Sequence, residues 1–361
     1  MFGDDRQPGV RHAIGLPLPD PVAYVELDGT AYVFAGLLDV PRLRAVGSFE
    51  VIPFDDLGLV DALGAGQPLP AALRHVVANG CEQIGLRDAV VPAEFPLALA
   101  DFLRERGVTL RADGALFDLR RRSKTTAQLE GIRRAMRAAE LALGHVRDRL
   151  REDGALTAEG LRAEARRIIV DNDCVPHDLL VVAAGGYGAD PHDQGEGPIP
   201  HGVPVVVDIF PRDIASGCWG DITRTFCIGE PPAELVEWHR AVREAQQQAT
   251  EAVRPRISAG DPYHVACDVL ETAGYATRRT RSEAELLEQG GFVHYLGHGL
   301  GLDLHEAPTL DDGGETLVPG DVITIEPGLY RPGFGGCRLE DVVVVTEDGY
   351  ELLTTFPYEL A

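Results

Sequence analysis

The sequence predicts an α+β protein built from two domains, and three observations carry that reading. A chain of 361 residues is too long for one ordinary compact core. Short strand and helix patterns alternate up to about residue 118. Beyond Arg120 the texture changes to long helical periodicity, followed by strands and further helices. The expected division is residues 1–120 for a smaller α/β domain and 121–361 for the larger one.

In the first domain, VAYVELDGTAYVF alternates around Asp28-Gly29, a dipeptide that accepts the positive φ values of a type I′ hairpin turn. An apolar-periodic stretch follows from Pro96 to Arg106. The second domain opens with Leu129, Ile132, Met136, Ala139, Leu143, Val146 and Leu150 at three- and four-residue steps, one face of a long helix. Thr157 starts a second helix, with Glu159 in its first turn where negative charge suits the helix dipole. Helices are expected over Ala233–Val253 and Pro262–Ala273. Strands are expected over Val205–Phe210, Asp221–Ile228, Val322–Glu326 and Arg338–Thr346.

The bulk composition excludes several classes. A formal net charge of -24 argues against nucleic acid and anionic membrane as partners, because both demand clustered Lys and Arg. No apolar run approaches the roughly 18 residues of a membrane span. The first residues show no basic segment leading into an apolar one, so a cytoplasmic protein is expected. The six cysteines form no CxxC pair and read as reduced, buried small hydrophobes, which leaves structural zinc without a ligand set.

Three segments carry chemistry. In VVVDIFPRDIASGCWGDITRTF, two strand-like runs flank a polar turn, so Asp208 and Asp221 can sit side by side on antiparallel strands. Asp is a poor strand residue, and the bland alternative is a pair of strand-end caps for backbone N–H groups. HYLGHGLGLDLHE packs His294, His298 and His305 among glycines. It lacks the Glu of HExxH, because Tyr295 stands there, and no Lys-Ser/Thr follows as a phosphate cradle requires. TIEPGLY and CRLEDVVVVT place Glu326 and Glu340 at the ends of apolar runs, where a bare carboxylate would cost several kcal/mol to bury.

A buried carboxylate needs a cation: Arg338 could serve one of the two, whereas metal could serve them all. Four carboxylates and one imidazole carry about -4, which two divalent ions roughly 3.5 to 4 Å apart would neutralise. The oxygen-rich set favours Mn²⁺, with Co²⁺, Fe²⁺ or Zn²⁺ as alternatives. A water between two such ions would be acidified to the hydroxide nucleophile of a hydrolase.

The order Asp, Asp-x-TRTF, His-G-LGL-D-x-HE, xEPGLY and RxED resembles the creatinase/prolidase/methionine aminopeptidase superfamily, whose catalytic domain has the pita-bread fold. Residues 1–118 resemble the amino-terminal creatinase-like domain of Xaa-Pro aminopeptidases and prolidases, which methionine aminopeptidases lack. The resemblance implies that Asp208 holds one metal, that Asp221 and Glu340 bridge, and that His298 and Glu326 hold the other. It makes Glu326 the proton shuttle to the leaving proline nitrogen, and His192 and His305 the stabilisers of the tetrahedral oxyanion. His294, Tyr330 and Arg338 match residues that line the site or hydrogen-bond around the metals. His145, His177, His201, His239 and His264 match nothing and are expected at the surface or on helices.

Two departures from that family shape the expected activity. The Asp208–Asp221 interval is two residues longer than usual there, which suggests an extended hairpin. Residues 306–325 contain no Arg to grip a dipeptide carboxylate. The resemblance therefore implies an exopeptidase that removes the residue preceding proline from small peptides, with an Xaa-Pro dipeptidase as the alternative. A creatinase- or ectoine-type C–N hydrolase and a non-catalytic pita-bread binding protein are the remaining rivals. Relatives of this kind assemble as homodimers or homotetramers, and the same is expected here.

Overall fold

The structure, a computed structural model, describes residues 1–152 and 154–360. It separates into two compact units, Met1–Arg121 and Arg122–Ala361. In the first, β1 (Phe2–Gly3), β2 (Val22–Leu27), β3 (Thr30–Ala35) and β4 (Glu50–Pro53) form a sheet in that order, with β3 and β4 parallel. The β2–β3 hairpin turns at Asp28 and Gly29, whose φ values of 50° and 80° are those the dipeptide was expected to supply. A parallel pair, β5 (Asp88–Val91) and β6 (Thr109–Ala112), completes the strands. The helices are α1 (Pro8–Ile14), α2 (Val40–Val46), α3 (Leu59–Gly64), α4 (Leu69–Gln83), α5 (Leu97–Glu105) and α6 (Gly114–Arg122). Phe34, Val76, Cys81, Leu99 and Leu103 sit in this unit's core.

The second unit begins with α7 (Thr126–Arg151), entered through a capping box. The Thr125 hydroxyl accepts from the Gln128 N–H, and the Gln128 side chain accepts from the Thr125 N–H. In α8 (Ala158–Asp171) the Thr157 hydroxyl caps the first turn by accepting from the Gly160 N–H. The strands β7 (Cys174–Val175), β8 (Val181–Ala184), β9 (Pro204–Ile209), β10 (Arg212–Asp213) and β11 (Ile222–Cys227) follow. They form an antiparallel sheet in the order β11-β9-β8 and a β10-β7 pair near the hairpin tip. Next come α9 (Ala233–Ala252), α10 (Gly260–Thr272), α11 (Glu283–Gln289), β12 (Gly297–Gly299), β13 (Glu306–Leu310) and β14 (Val322–Ile325). β15 (Gly328–Arg331) pairs with β16 (Gly335–Arg338), while β17 (Asp341–Val345) and β18 (Tyr350–Leu352) complete a sheet ordered β13-β12-β14-β17-β18.

The two-residue alternation of strands sorts the side chains into layers. On β9, Val205, Val207 and Ile209 belong to the core shared with α7 and α8, so Val206 and Asp208 point the other way. On β14, Ile323 and Ile325 belong to the core shared with α9 and α10, leaving Thr324 opposite. Polar groups are thereby collected between two apolar layers.

Two expectations need correcting. The strand predicted over Arg338–Thr346 is broken: β16 stops at Arg338 and β17 starts at Asp341. The Glu340 N–H instead donates to the Thr223 carbonyl at 3.0 Å, pulling the chain across to β11. Asp208 and Asp221 are also not directly opposed. Asp208 pairs with Thr223, and Asp221 lies just before β11, a diagonal neighbour on the same face.

Helix α7 approaches the β9–β11 hairpin so closely that a Cβ on Gly220, next to Asp221, would lie 2.8 Å from the backbone of Ala135 and Met136. Gly220→Ala is expected to destabilise the protein by about 1–3 kcal/mol through overpacking. Gly144→Ala, on the same helix, meets nothing closer than Phe356 at 3.6 Å. It is expected to stabilise by roughly 0.5–1 kcal/mol through helix propensity. Chemical denaturation of both variants measures the contrast, and equal effects would refute the close approach.

Candidate active site

Asp208, Asp221, His298, Glu326 and Glu340 all line one cleft of about 840 Å³ in the second unit, together with His192, His294, His305 and Arg338. One ligand atom each of Asp221, His298 and Glu340 lies within 4.8 Å of the others. His298 Nε2 stands 3.7 Å from Asp221 Oδ2 and 3.4 Å from Glu326 Oε1.

Each side chain is aimed by a local interaction. His298 Nδ1 lies 3.1 Å from the Gly299 carbonyl. That carbonyl can only accept, so the proton sits on Nδ1 and the Nε2 lone pair faces the carboxylates. The Thr324 hydroxyl accepts from the His298 N–H at 3.0 Å and donates to Glu326 Oε1 at 3.2 Å. The Thr223 hydroxyl donates to Glu340 Oε2 at 2.7 Å and accepts from Arg338 Nε at 3.2 Å. Arg338 donates to Asp208 Oδ2 at 2.5 Å and to the Tyr330 hydroxyl at 2.9 Å. Tyr330 lies 2.9 Å from His294 Nε2, and His294 Nδ1 lies 2.7 Å from the Tyr295 carbonyl, so the chain of donors runs from Arg338 through Tyr330 to His294.

Below this layer Arg224, the Arg of TRTF, is 1% exposed and donates to Asp341 Oδ1 at 2.8 Å and to the carbonyls of Thr223, Glu340, Phe356 and Pro357. Asp341 also accepts from Gln246 Nε2 at 2.5 Å and from the Tyr358 hydroxyl. A fully satisfied buried pair of this kind locks the backbone on either side of Glu340. Lys124, the chain's one Lys, is buried against Glu306 at 2.5 Å, beside His305. That pair supports the turn that carries His305 into the cleft.

Charge in the cluster is unbalanced. Four carboxylates share one guanidinium, and Asp208 Oδ1 is buried without a hydrogen-bond partner. Burial, reinforced by the charges of Glu340, Asp208 and Glu326, pushes the Asp221 carboxyl well above its ordinary range. Burial, then Glu326 and Asp208, does the same to Glu340. Glu326 is pushed up to about 8, by burial first and against the opposing Arg338. Burial holds His298 and His294 down to about 3, so both imidazoles are neutral, the form that ligates metal. An orphaned acceptor, surplus negative charge and a neutral imidazole with a directed lone pair together fit divalent cations.

His305 stacks edge-on to His298 with ring centroids 4.2 Å apart, and His192 is exposed, its backbone N–H donating to Asp190 Oδ1 at 2.9 Å. One expectation is corrected here: His177, assigned to the surface, lines the cleft against Phe210 and Trp219. Sequence reasoning also passed over Thr223, Thr324 and the Arg224–Asp341 pair. Their signal was present as polar residues inside strands that are otherwise apolar. A separate cavity of about 320 Å³ in the first unit is mostly apolar and holds no such cluster.

The fold and the buried carboxylate cluster define a metal-dependent hydrolase. Residues 130–347 match the model of metallopeptidase family M24. The probable dipeptidase PepE of Mycobacterium tuberculosis is 32% identical over 308 residues, covering 85% of this chain and 73% of that protein. The Xaa-Pro dipeptidase of Pyrococcus furiosus is 36% identical over 182 residues, half of this chain and 48% of that one. In fold, the X-Pro aminopeptidase from Thermotoga maritima superposes with a TM-score of 0.81, at 22% identity, over 99% of this chain and 96% of that one. The chain belongs to metallopeptidase family M24. As a member of that family it is a metallopeptidase, with the expected pita-bread catalytic domain and small amino-terminal α/β domain. Among the described residues no helix is long and apolar enough to cross a membrane.

The raised carboxylates give the metal-free protein a testable pH dependence. A folded-state value above the unfolded one means the native protein holds protons the unfolded chain has released, so stability falls as pH rises. The lowered histidines act oppositely, but only below their ordinary value of 6.5. Between pH 6.5 and 8, metal-free wild type is therefore expected to lose stability relative to metal-free Glu326→Gln, as read by urea denaturation. A difference that stays flat across that window would rule out a protonated Glu326.

Proposed function

We propose that the protein is an Xaa-Pro aminopeptidase, removing the amino-terminal residue that precedes proline from peptides longer than two residues. One observation carries the choice within the family. Among the described residues lining the cleft there is a single Arg and no Lys, and that Arg338 is already committed to Asp208 and Tyr330. A dipeptidase must neutralise a carboxylate one residue beyond the scissile bond, whereas an aminopeptidase meets a neutral peptide there. The acidic lining, which includes Asp190, Glu283 and Asp303, suits the cationic amino terminus of a substrate. The second reading, an Xaa-Pro dipeptidase, is favoured by the printed activities of the relatives in Mycobacterium and Pyrococcus. In that case His192 and His305 would have to receive the carboxylate.

In the proposed mechanism Asp208, Asp221, His298, Glu326 and Glu340 hold two divalent ions, Mn²⁺ in first place and Co²⁺, Fe²⁺ or Zn²⁺ as alternatives. When bound, such ions supply Lewis acidity that brings the pKa of water towards neutrality. The remaining work falls to the chain. Glu326, held by Thr324, accepts the proton of the attacking water and delivers it to the proline nitrogen, which leaves as a neutral secondary amine. His192 and His305 face the developing oxyanion and stabilise it by donating hydrogen bonds. Arg338, Tyr330 and His294 fix Asp208 in place, so that the carboxylate need not reorganise during the reaction.

Two experiments test this reading. Metal-stripped enzyme, reconstituted with Mn²⁺ or Co²⁺, is assayed on an Xaa-Pro-Xaa tripeptide, Gly-Pro, a non-proline dipeptide and creatine. Metal-dependent cleavage of the tripeptide is expected; efficient cleavage of Gly-Pro would move the assignment to a dipeptidase, and chelator-resistant activity would sink the metal mechanism. Glu326→Gln is expected to keep its fold and lose about 10²–10⁴-fold in kcat. Full turnover in that variant would remove the proton-shuttle role.

A further inference from the structure

The hairpin that carries Asp208 and Asp221 also carries two aromatic rings into the same cleft. Phe210 stands two residues beyond Asp208 and Trp219 two residues before Asp221, just past the ends of the paired strands, and both line the cleft with the aspartates. The His177 ring closes a third side, its centroid 4.9 Å from Phe210 and 5.5 Å from Trp219, inclined at 53° and 63°.

All three walls are held in place. His177 Nδ1 accepts from the Leu179 N–H at 3.0 Å, which sets the ring orientation. The backbone N–H of Trp219 donates to the Gly301 carbonyl at 2.8 Å, which fixes the chain there, and the Arg212 guanidinium lies over the indole at 5.8 Å. Phe210 is buried, while His177 and Trp219 keep part of their surface open. A preorganised cup of inclined rings suits edge-to-face contact with another ring and loses little freedom when it is filled.

The direction of the substrate follows from the proton path proposed above, on which this inference rests. Glu326 delivers its proton to the proline nitrogen, so proline lies towards the Glu326 and His298 side. The residue before it then lies over the hairpin, beside Asp208 and Asp221. We propose that His177, Phe210 and Trp219 form the pocket for the side chain of the amino-terminal residue, and that they make the enzyme select aromatic and large aliphatic residues there. The hairpin between Asp208 and Asp221 thus supplies Trp219 to the cleft as well as the two carboxylates.

The test compares kcat/KM on Phe-Pro-Ala and Gly-Pro-Ala, with Phe-Pro and Gly-Pro run alongside, in metal-loaded full-length enzyme. The Phe/Gly ratio within one preparation is independent of the fraction of active enzyme. Wild type is expected to favour Phe by tenfold or more. Trp219→Ala and His177→Ala are each expected to lower that ratio by about tenfold, with Trp219→Phe restoring most of it. A wild-type ratio near one, or a ratio unchanged in both alanine variants, overturns the pocket while leaving proline-directed cleavage standing. Failure to cut any of the four peptides overturns the reading of function and the pocket with it. A Phe/Gly preference confined to the dipeptides keeps the pocket and changes only the exopeptidase type.

Discussion

Mutual repulsion among Asp208, Asp221, Glu326 and Glu340 is the constraint that organises the catalytic unit. Ionised carboxylates this deeply buried cost several kcal/mol each unless cations answer them, and among the described residues lining the cleft Arg338 is the one Arg or Lys. The surrounding structure is arranged to tolerate that deficit. Thr223 and Thr324 each give one hydroxyl proton to a carboxylate, Arg338 binds Asp208, and His298 is kept neutral with its lone pair inward. The imbalance is what suits the cluster to divalent ions, because an apolar filling would cost less and bind nothing.

Holding such a cluster together requires rigid support from apolar layers. Val205, Val207 and Ile209 anchor β9 against α7 and α8, while Ile323, Ile325, Val343 and Val345 anchor the second sheet against α9 and α10. Each fully buried aliphatic side chain of this size contributes on the order of 1.5–3 kcal/mol. A handful on each side offsets the polar layer between them. The Arg224–Asp341 pair adds direction to this support. It binds carbonyls from three separate segments and so prevents β11, the Glu340 turn and the chain near Phe356 from shifting independently.

Support and chemistry are therefore divided between alternate residues of the same strands. Ile222 and Phe226 pack into the core while Thr223 and Thr225 face the polar layer; Thr225 accepts from the Arg338 N–H and donates to its carbonyl. A single substitution on one face is felt on the other, since shifting the strand moves both. Phe210 and Trp219 line the cleft on the same hairpin as Asp208 and Asp221, joining the shape of the cleft to its carboxylates.

The sequence by itself determined the large elements, the family resemblance and the residues of the cluster. Apolar periodicity marked α7, turn chemistry marked the Asp28–Gly29 hairpin, and acids at the ends of apolar runs marked Asp208, Glu326 and Glu340. These features are legible because each rests on a local rule of spacing or on the cost of burying charge. Tertiary structure alone decided the register that sets Asp208 against Thr223, the break between Arg338 and Asp341, and the place of His177 in the cleft. Register, strand breaks and cleft walls arise from contacts between distant segments, and nothing in the residues next to His177 records that Phe210 and Trp219 will fold against it.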